Sequence, residues 1–196
     1  GPRTALVIGA GLSGCASANS LAKRGWQVTL LERHERLAKE ASGNPQGVLY
    51  LKLSAHGTAL SQMIVCGFGY TRRVLEHLQR GRDWDDCGVL QLGFNAKEAD
   101  RQAQLAAAFP AALVHLLDQP QAQALAGVEL AHGGLFYPEG GWVHPPALCR
   151  FQTLHPNVKV LTHHDVLHID KVDGQWRALH DDRVLATASV VILAGA

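Results

Sequence analysis

Strong charge of either sign is missing from this sequence: 18 Lys and Arg against 17 Asp and Glu leave a formal net charge of +1 over 196 residues. No global cationic field draws in nucleic acid or a membrane surface, so any such partner has to be met by a local patch. Cysteine is sparse as well. The four, Cys15, Cys66, Cys87 and Cys149, stand far apart with no C-x-x-C pair. That spacing argues against a zinc site and a disulfide framework, and it reads as inert structural thiols in a reducing, cytoplasmic setting. No apolar run reaches the roughly 18 to 20 residues of a membrane span, and the start lacks the basic-then-apolar profile of a secretory signal. Internal repeats and low-complexity tracts are also missing. What is present, 47% hydrophobic and 18% charged residues, is the composition of a globular domain with enough chain to bury a core. Gly1-Pro2 resembles the remnant left by a tag-cleaving protease and is set aside.

Ala5 to Ile8 is a continuous apolar run that breaks at Gly9-Ala10-Gly11, the way a buried parallel strand meets a tight turn. Leu12 to Arg24 reads as a helix whose small residues Cys15, Ala16, Ala18 and Ala22 let it lie close to a sheet, with Gly25 as its stop. Gln27 to Leu31 is a second strand ending at Glu32, which closes one βαβ unit. Residues 34–52 have loop character. Thr58 to Leu78 reads as a long helix with Leu60, Ile64, Phe68, Val74, Leu75 and Leu78 on one stripe. Further on, a strand is expected at Cys87 to Leu92, helices at Asp100 to Phe109 and Gln119 to Ala126, a strand or hairpin in Gly133 to Pro146 and a helix near Ala147 to Leu154. Strands follow at Val158 to Leu161, Asp165 to Ile169, Gln175 to His180 and Ser189 to Leu193. The last runs into Gly195 with nothing after it to cover the strand, so a truncated chain is expected.

Gly9-Ala10-Gly11-Leu12-Ser13-Gly14 is a G-x-G-x-x-G, a weak signal by itself. Here it follows a predicted strand, opens a predicted helix, and is followed 18 residues after Gly14 by Glu32 at the end of the next strand. Gly9 makes the turn, Gly11 lets the backbone approach a pyrophosphate, and Gly14 permits close helix packing. The helix mouth offers unpaired N–H groups to phosphates. Glu32 suits ribose hydroxyls and repels a 2′-phosphate, which disfavours NADP. The motif does not decide between FAD and NAD.

That choice comes from resemblance. The glycine motif with Leu21-Ala22-x-x-Gly25 and Val28-x-Leu30-Leu31-Glu32 resembles the amino-acid oxidase superfamily of flavoproteins, which includes glycine oxidase and sarcosine oxidase. Ala41-Ser42-Gly43-Asn44-Pro45-Gln46-Gly47-Val48-Leu49-Tyr50, Cys87-Gly88-Val89-Leu90-Gln91-Leu92-Gly93 and Tyr137-Pro138-Glu139-Gly140-Gly141-Trp142 look more specifically like the FAD-dependent half of the bifunctional tRNA 5-methylaminomethyl-2-thiouridine biosynthesis family. The resemblance implies an α/β, glutathione-reductase-like FAD-binding domain over residues 3–196, with an N-terminal βαβ Rossmann unit. Cofactor sections are expected at about 3–50 and 146–196, and a mixed substrate-side section at about 51–145. It implies FAD as cofactor and tRNA as substrate; no metal is expected from the histidine and cysteine spacing. It also implies oxidative removal of the carboxymethyl group from a wobble uridine: a hydride passes to the flavin, the imine hydrolyses and glyoxylate leaves. In that family a separate domain using S-adenosylmethionine then methylates the amine, and no methyltransferase segment is read before Ala5.

Carried over residue by residue, the resemblance gives Gly9, Gly11 and Gly14 to the pyrophosphate and Glu32 to the adenosine ribose, with Ala10, Leu12, Ser13 and Arg33 also expected to bind the cofactor. Ala41, Ser42, Asn44, Gln46 and Gly47 fall to the pyrophosphate and flavin side, Val166 to adenine, and Ala194, with Gly195, to a strand end near the cofactor. Leu51 departs from the family's proline. No catalytic residue is named, because the cofactor carries the chemistry. A free amino-acid oxidase and a cofactor-binding fragment without turnover stay open as alternatives. Other constellations read less sharply. His163, His164, His168 and His180 invite a metal, yet adjacent strand residues face opposite ways. Arg72, Arg73, Arg80 and Arg82 read as a solvated helix face or as phosphate contacts. Trp142 reads equally as core or as a platform for a base.

Overall fold

Alternation along one strand sorts the first half of the fold into layers. In the computed structural model, which describes residues 1–56 and 59–194, strand β1 (Thr4–Ile8) is the centre of a parallel sheet. It pairs with β2 (Gln27–Leu31) on one side and β13 (Val190–Leu193) on the other, and β2 pairs onward with β9 (Val158–Leu161). Ala5 and Val7 point to helix α1 (Leu12–Ala22), joining Cys15, Ala18 and Ala22 in one buried cluster. Leu6, one residue out of phase, points the other way and packs with Leu31, Ala178 and Ala188, as a period of two requires. Ala178 and Ala188 belong to an antiparallel sheet of β10 (His168–Val172), β11 (Gln175–His180) and β12 (Arg183–Ala188). Helix α5 (Pro145–Gln152) lies beside α1, where Asn19 Nδ2 donates to the Gln152 carbonyl at 2.8 Å. Here the expected α/β architecture with a parallel sheet and an opening βαβ unit is present.

The chain divides into two units, Gly1–Pro45 with His144–Ala196, and Gln46–Val143. The division differs from the expected one near 50 and 146 because β3 (Gly47–Leu49), within the segment read as a loop, pairs with β8 (Gly141–Val143). Together with β4 (Trp84–Asp85) these form one small antiparallel sheet of the second unit. A second sheet there contains β5 (Val89–Leu92), β7 (Gly134–Tyr137) and β6 (His115–Leu117). Three helices complete it: α2 (Ala59–Leu75), α3 (Ala96–Ala108) and α4 (Gln119–Ala126). Leu51, Leu105, Val114, Leu135 and Tyr137 form its buried core, with Ile64 and Phe68 of α2 packed against it.

Several boundaries move for local reasons. Helix α3 starts at Ala96, not at Asp100, because Asn95 caps it: its side chain accepts from the Glu98 N–H at 2.8 Å. Strand β10 lies three residues later than expected because the two-residue turn Asp173-Gly174, both at positive φ, sets Val172 opposite Gln175. Leu60, placed on the core stripe of α2, is 59% exposed. Thr58, the expected first residue of that helix, and Gly195, the expected turn after β13, lie outside the described residues. No helix among the described residues is long and apolar enough to cross a membrane.

Candidate dinucleotide site

The glycine turn is closed by the two strands that flank it. Gly9 sits at φ 98°, a conformation L side chains rarely adopt, and its N–H donates to the Leu31 carbonyl at 2.9 Å. Gly11 is the N-cap of α1 and has no side chain of its own to satisfy the helix mouth. A Cβ built on Gly14 would collide with the Gly9 carbonyl oxygen and sit 3.4 Å from the Ala194 Cβ. The first turn of α1 therefore rides directly on the turn that precedes it, and its orphan N–H groups face outward beside exposed Leu12 and Ser13. Ala10 is fully buried, so its side chain serves the core and only its backbone faces the turn.

Glu32 is 7% exposed, and both its oxygens are used: Oε2 accepts from the Ala10 N–H at 3.0 Å and Oε1 from the His34 N–H at 3.0 Å. The carboxylate is thereby locked against the glycine turn at the end of β2. It lines a cavity of about 230 Å3 together with Gly9, Arg33, His164, Val166 and Leu193. Arg33 and His34 both reach Glu40, His34 Nε2 at 3.3 Å. A carboxylate already braced by two amides presents its remaining lone pairs without rotating, the preorganisation a ribose diol requires.

Ala41–Gly43 form a single 3-10 turn, closed by the Gly43 N–H on the Glu40 carbonyl at 2.8 Å. That turn brings Ser42 onto the mouth of α1, where its Oγ accepts from the Leu12 N–H at 3.0 Å and lies 3.0 Å from where a Gly11 Cβ would stand. Ser42 thus supplies, from 30 residues away, the cap that Gly11 lacks. Ser42→Ala is expected to lower stability by about 1 kcal/mol, read as a drop in the urea midpoint at constant slope; an unchanged midpoint would mean water caps the helix equally well. Asn44 is exposed. Gln46 and Gly47 lie in the second unit, Gly47 as the first residue of β3. Ala194 follows β13, its N–H donating to the Ile8 carbonyl at 2.9 Å beside the glycine turn.

Sequence reasoning missed His164, which lines the cavity while its Nδ1 meets the Thr162 carbonyl at 2.6 Å and its N–H donates to the Glu32 carbonyl at 2.9 Å. The doublet His163-His164 is the available signal, although in the sequence it invites only a metal. Among the described residues no three His, Cys, Asp or Glu side chains gather in metal-binding geometry. Cys15 and Cys149 are buried in the same core cluster, and the hydrogen bond between them, with burial, pushes the Cys15 thiol well above its ordinary range. Of the four arginines near α2, Arg72 pairs with Asp86 at 3.1 Å, Arg80 with Asp85 at 3.2 Å and Arg82 with Asp83 at 2.8 Å.

The family model for FAD-dependent oxidoreductases matches residues 4–196. The chain belongs to that family of flavoproteins. Curated relatives include the tRNA 5-methylaminomethyl-2-thiouridine biosynthesis bifunctional protein MnmC of Pseudomonas fluorescens strain Pf-5, 77% identical over 196 residues, which cover 100% of this chain and 30% of that protein. The same protein of strain Pf0-1 is 71% identical over the same shares. The chain thus spans 30% of the length of the curated relatives it matches. Among solved structures, glycine oxidase from Geobacillus kaustophilus superposes with a TM-score of 0.76 at 18% identity, covering 98% of this chain and 55% of that one. Fructosamine oxidase from Aspergillus fumigatus gives 0.75 at 18% identity, covering 98% and 48%. At those identities the superpositions carry the fold. The flavoprotein family's cofactor suits the site geometrically: a cradle of Gly9, Gly11 and Gly14, a helix mouth whose Leu12 amide alone is met by Ser42, and a braced acid beside a cavity.

Proposed function

We propose that this chain is the FAD-binding portion of a cytoplasmic oxidoreductase that removes the carboxymethyl group from 5-carboxymethylaminomethyl-2-thiouridine at the tRNA wobble position, giving the aminomethyl nucleoside. The match to the MnmC proteins, which runs the full length of this chain, carries the reading. The braced glycine turn supports it. In this reading the backbone amides of Gly11, Ser13 and Gly14, with Leu12 and the Ser42 hydroxyl that its amide meets, hold the diphosphate at the mouth of α1, and Gly9 and Ala10 shape the turn beneath it. Glu32 grips the adenosine ribose, Arg33 flanks it, and Val166 meets the adenine edge. Ala41, Ser42, Asn44, Gln46 and Gly47 run from the diphosphate toward the flavin, with Ala194 closing the strand end behind. When bound, FAD supplies the acceptor for a hydride from the carbon beside the amine nitrogen. A methyltransferase domain in the parent protein would take the product amine.

Nucleoside mass spectrometry of tRNA from cells lacking the gene tests the proposal. Accumulation of carboxymethylaminomethyl-thiouridine is the expected result, and unchanged wobble nucleosides reject it. Bleaching of the bound flavin by glycine or sarcosine alone would instead indicate a free amino-acid oxidase. Flavin bands that no substrate bleaches would indicate a cofactor-binding fragment without turnover.

A further inference from the structure

A second concavity of the same unit, about 590 Å3, shares no lining residue with the adenosine-side cavity. Its charged side chains are all cations, Arg36, Lys39 and Arg150, with His144 and Thr162 beside them, and no Asp or Glu lines it. In a chain of net charge +1, that segregation is a local feature. Leu37 and Pro146 supply apolar wall, which lowers the local dielectric and raises the worth of each charge toward an anion. One acid reaches the cleft from outside. Glu35 meets Lys39 Nζ at 2.7 Å and Arg36 Nε at 4.0 Å, and the Lys39 ammonium holds its carboxyl down at about 2. Arg150 has no carboxylate within ion-pair distance among the described residues. Of the four arginines the sequence first suggests for phosphate contacts, three, Arg72, Arg80 and Arg82, are each tied to an aspartate, and Arg73 stands exposed on α2.

We propose that the cleft of Arg36, Lys39, His144 and Arg150 binds the phosphodiester backbone of the tRNA substrate. The inference rests on the tRNA reading above. Guanidinium forks match phosphate oxygens in pairs, and contacts of this kind position an RNA without reading its sequence. The cleft is also larger than a single phosphate needs, as a run of backbone requires. The loop that forms part of its wall presents Gly43 and Pro45 to the cleft, while Ser42 of the same loop turns to the mouth of α1. One short segment would therefore touch RNA backbone and cofactor diphosphate at once.

Fluorescence anisotropy of a labelled, unmodified tRNA transcript with this chain, over a salt series, tests it. The double variant Arg36→Glu with Arg150→Glu is expected to weaken binding at least tenfold and to flatten the log K against log salt slope by roughly 1.5 to 2. Glu35→Gln, which frees Arg36 and Lys39, is expected to tighten binding by roughly threefold, a sign that general loss of structure would not produce. If the charge reversals do not fold by circular dichroism, Arg36→Gln with Arg150→Gln is read instead, with the same sign. Unchanged tRNA affinity and slope in the variant overturn the proposal, as does loss of bound flavin with tRNA affinity intact, which would give the cleft to the cofactor's own diphosphate. A wild-type chain that binds no tRNA overturns it too. Intact, Arg150-dependent tRNA binding together with unchanged wobble nucleosides in the deletion strain would reject only the proposed reaction.

Discussion

Replacing Gly14 with alanine is expected to strip the chain of bound flavin and to lower its stability by about 2 to 3 kcal/mol. The added methyl would enter the space of the Gly9 carbonyl oxygen, and neither neighbour is free to yield. Gly9 is held by its N–H on Leu31 and by a φ of 98° that no other residue replaces cheaply. Helix α1 cannot back away, because Cys15, Ala18 and Ala22 are buried against the sheet with at most 2% exposure. The least costly response is to lift the first turn of α1, which moves the amides of Leu12 and Ser13 away from the diphosphate they are proposed to hold. Thermal melting should register a fall of roughly 4 to 12 °C, and flavin absorbance after gel filtration should fall with it. Gly67→Ala is the matched control: its Cβ would meet nothing within 4 Å on α2, and the melt should hold or rise slightly. A Gly14→Ala protein that melts with the wild type and keeps its flavin would mean that the tight contact positions nothing.

The glycine turn and the acid at the end of β2 are legible in the sequence because each is local or obeys a fixed offset. The turn glycines are needed for reasons a single residue reveals, and β2 carries Glu32 to the strand end nearest the turn by the geometry of any βαβ unit. What stays hidden depends on contacts made across long stretches of chain. Ser42 reads as a small loop residue until the fold sets it on the Leu12 amide. His164 reads as half of a metal-like doublet until its parallel-sheet neighbour turns it into the wall beside Glu32. Short strands are hidden for a related reason: β3 and β6 have three residues each, too few to show a period, and only pairing with β8 and β7 defines them. The arginines of the α2 region mislead in the opposite sense. Their charge is plain in the sequence, but the pairing of Arg72, Arg80 and Arg82 with Asp86, Asp85 and Asp83 is set only by the fold.

Glu32 is the position where structural and binding roles overlap, and substitution can separate them. Glu32→Gln keeps the volume but has only one side-chain oxygen, so either the Ala10 N–H or the His34 N–H is left facing an NH2 group. A buried donor deprived of a charged acceptor costs about 1 to 3 kcal/mol, and the flavin-free protein should show that loss in urea unfolding. Affinity for FAD should fall further, by roughly 30- to 100-fold, because an amide offers the ribose diol weaker acceptance and the acceptor is no longer braced from both sides. Glu32→Ala removes both amide partners and should lower stability more than Glu32→Gln does. If the carboxylate only braced the turn, FAD affinity in the two variants would track their stability loss, and the protein that still folds would bind flavin normally. If it also grips the ribose, Glu32→Gln at a temperature where it is fully folded still binds FAD weakly in isothermal titration. Normal affinity in that folded Glu32→Gln protein would take the ribose role away from this residue and leave it a strut between β2 and the glycine turn.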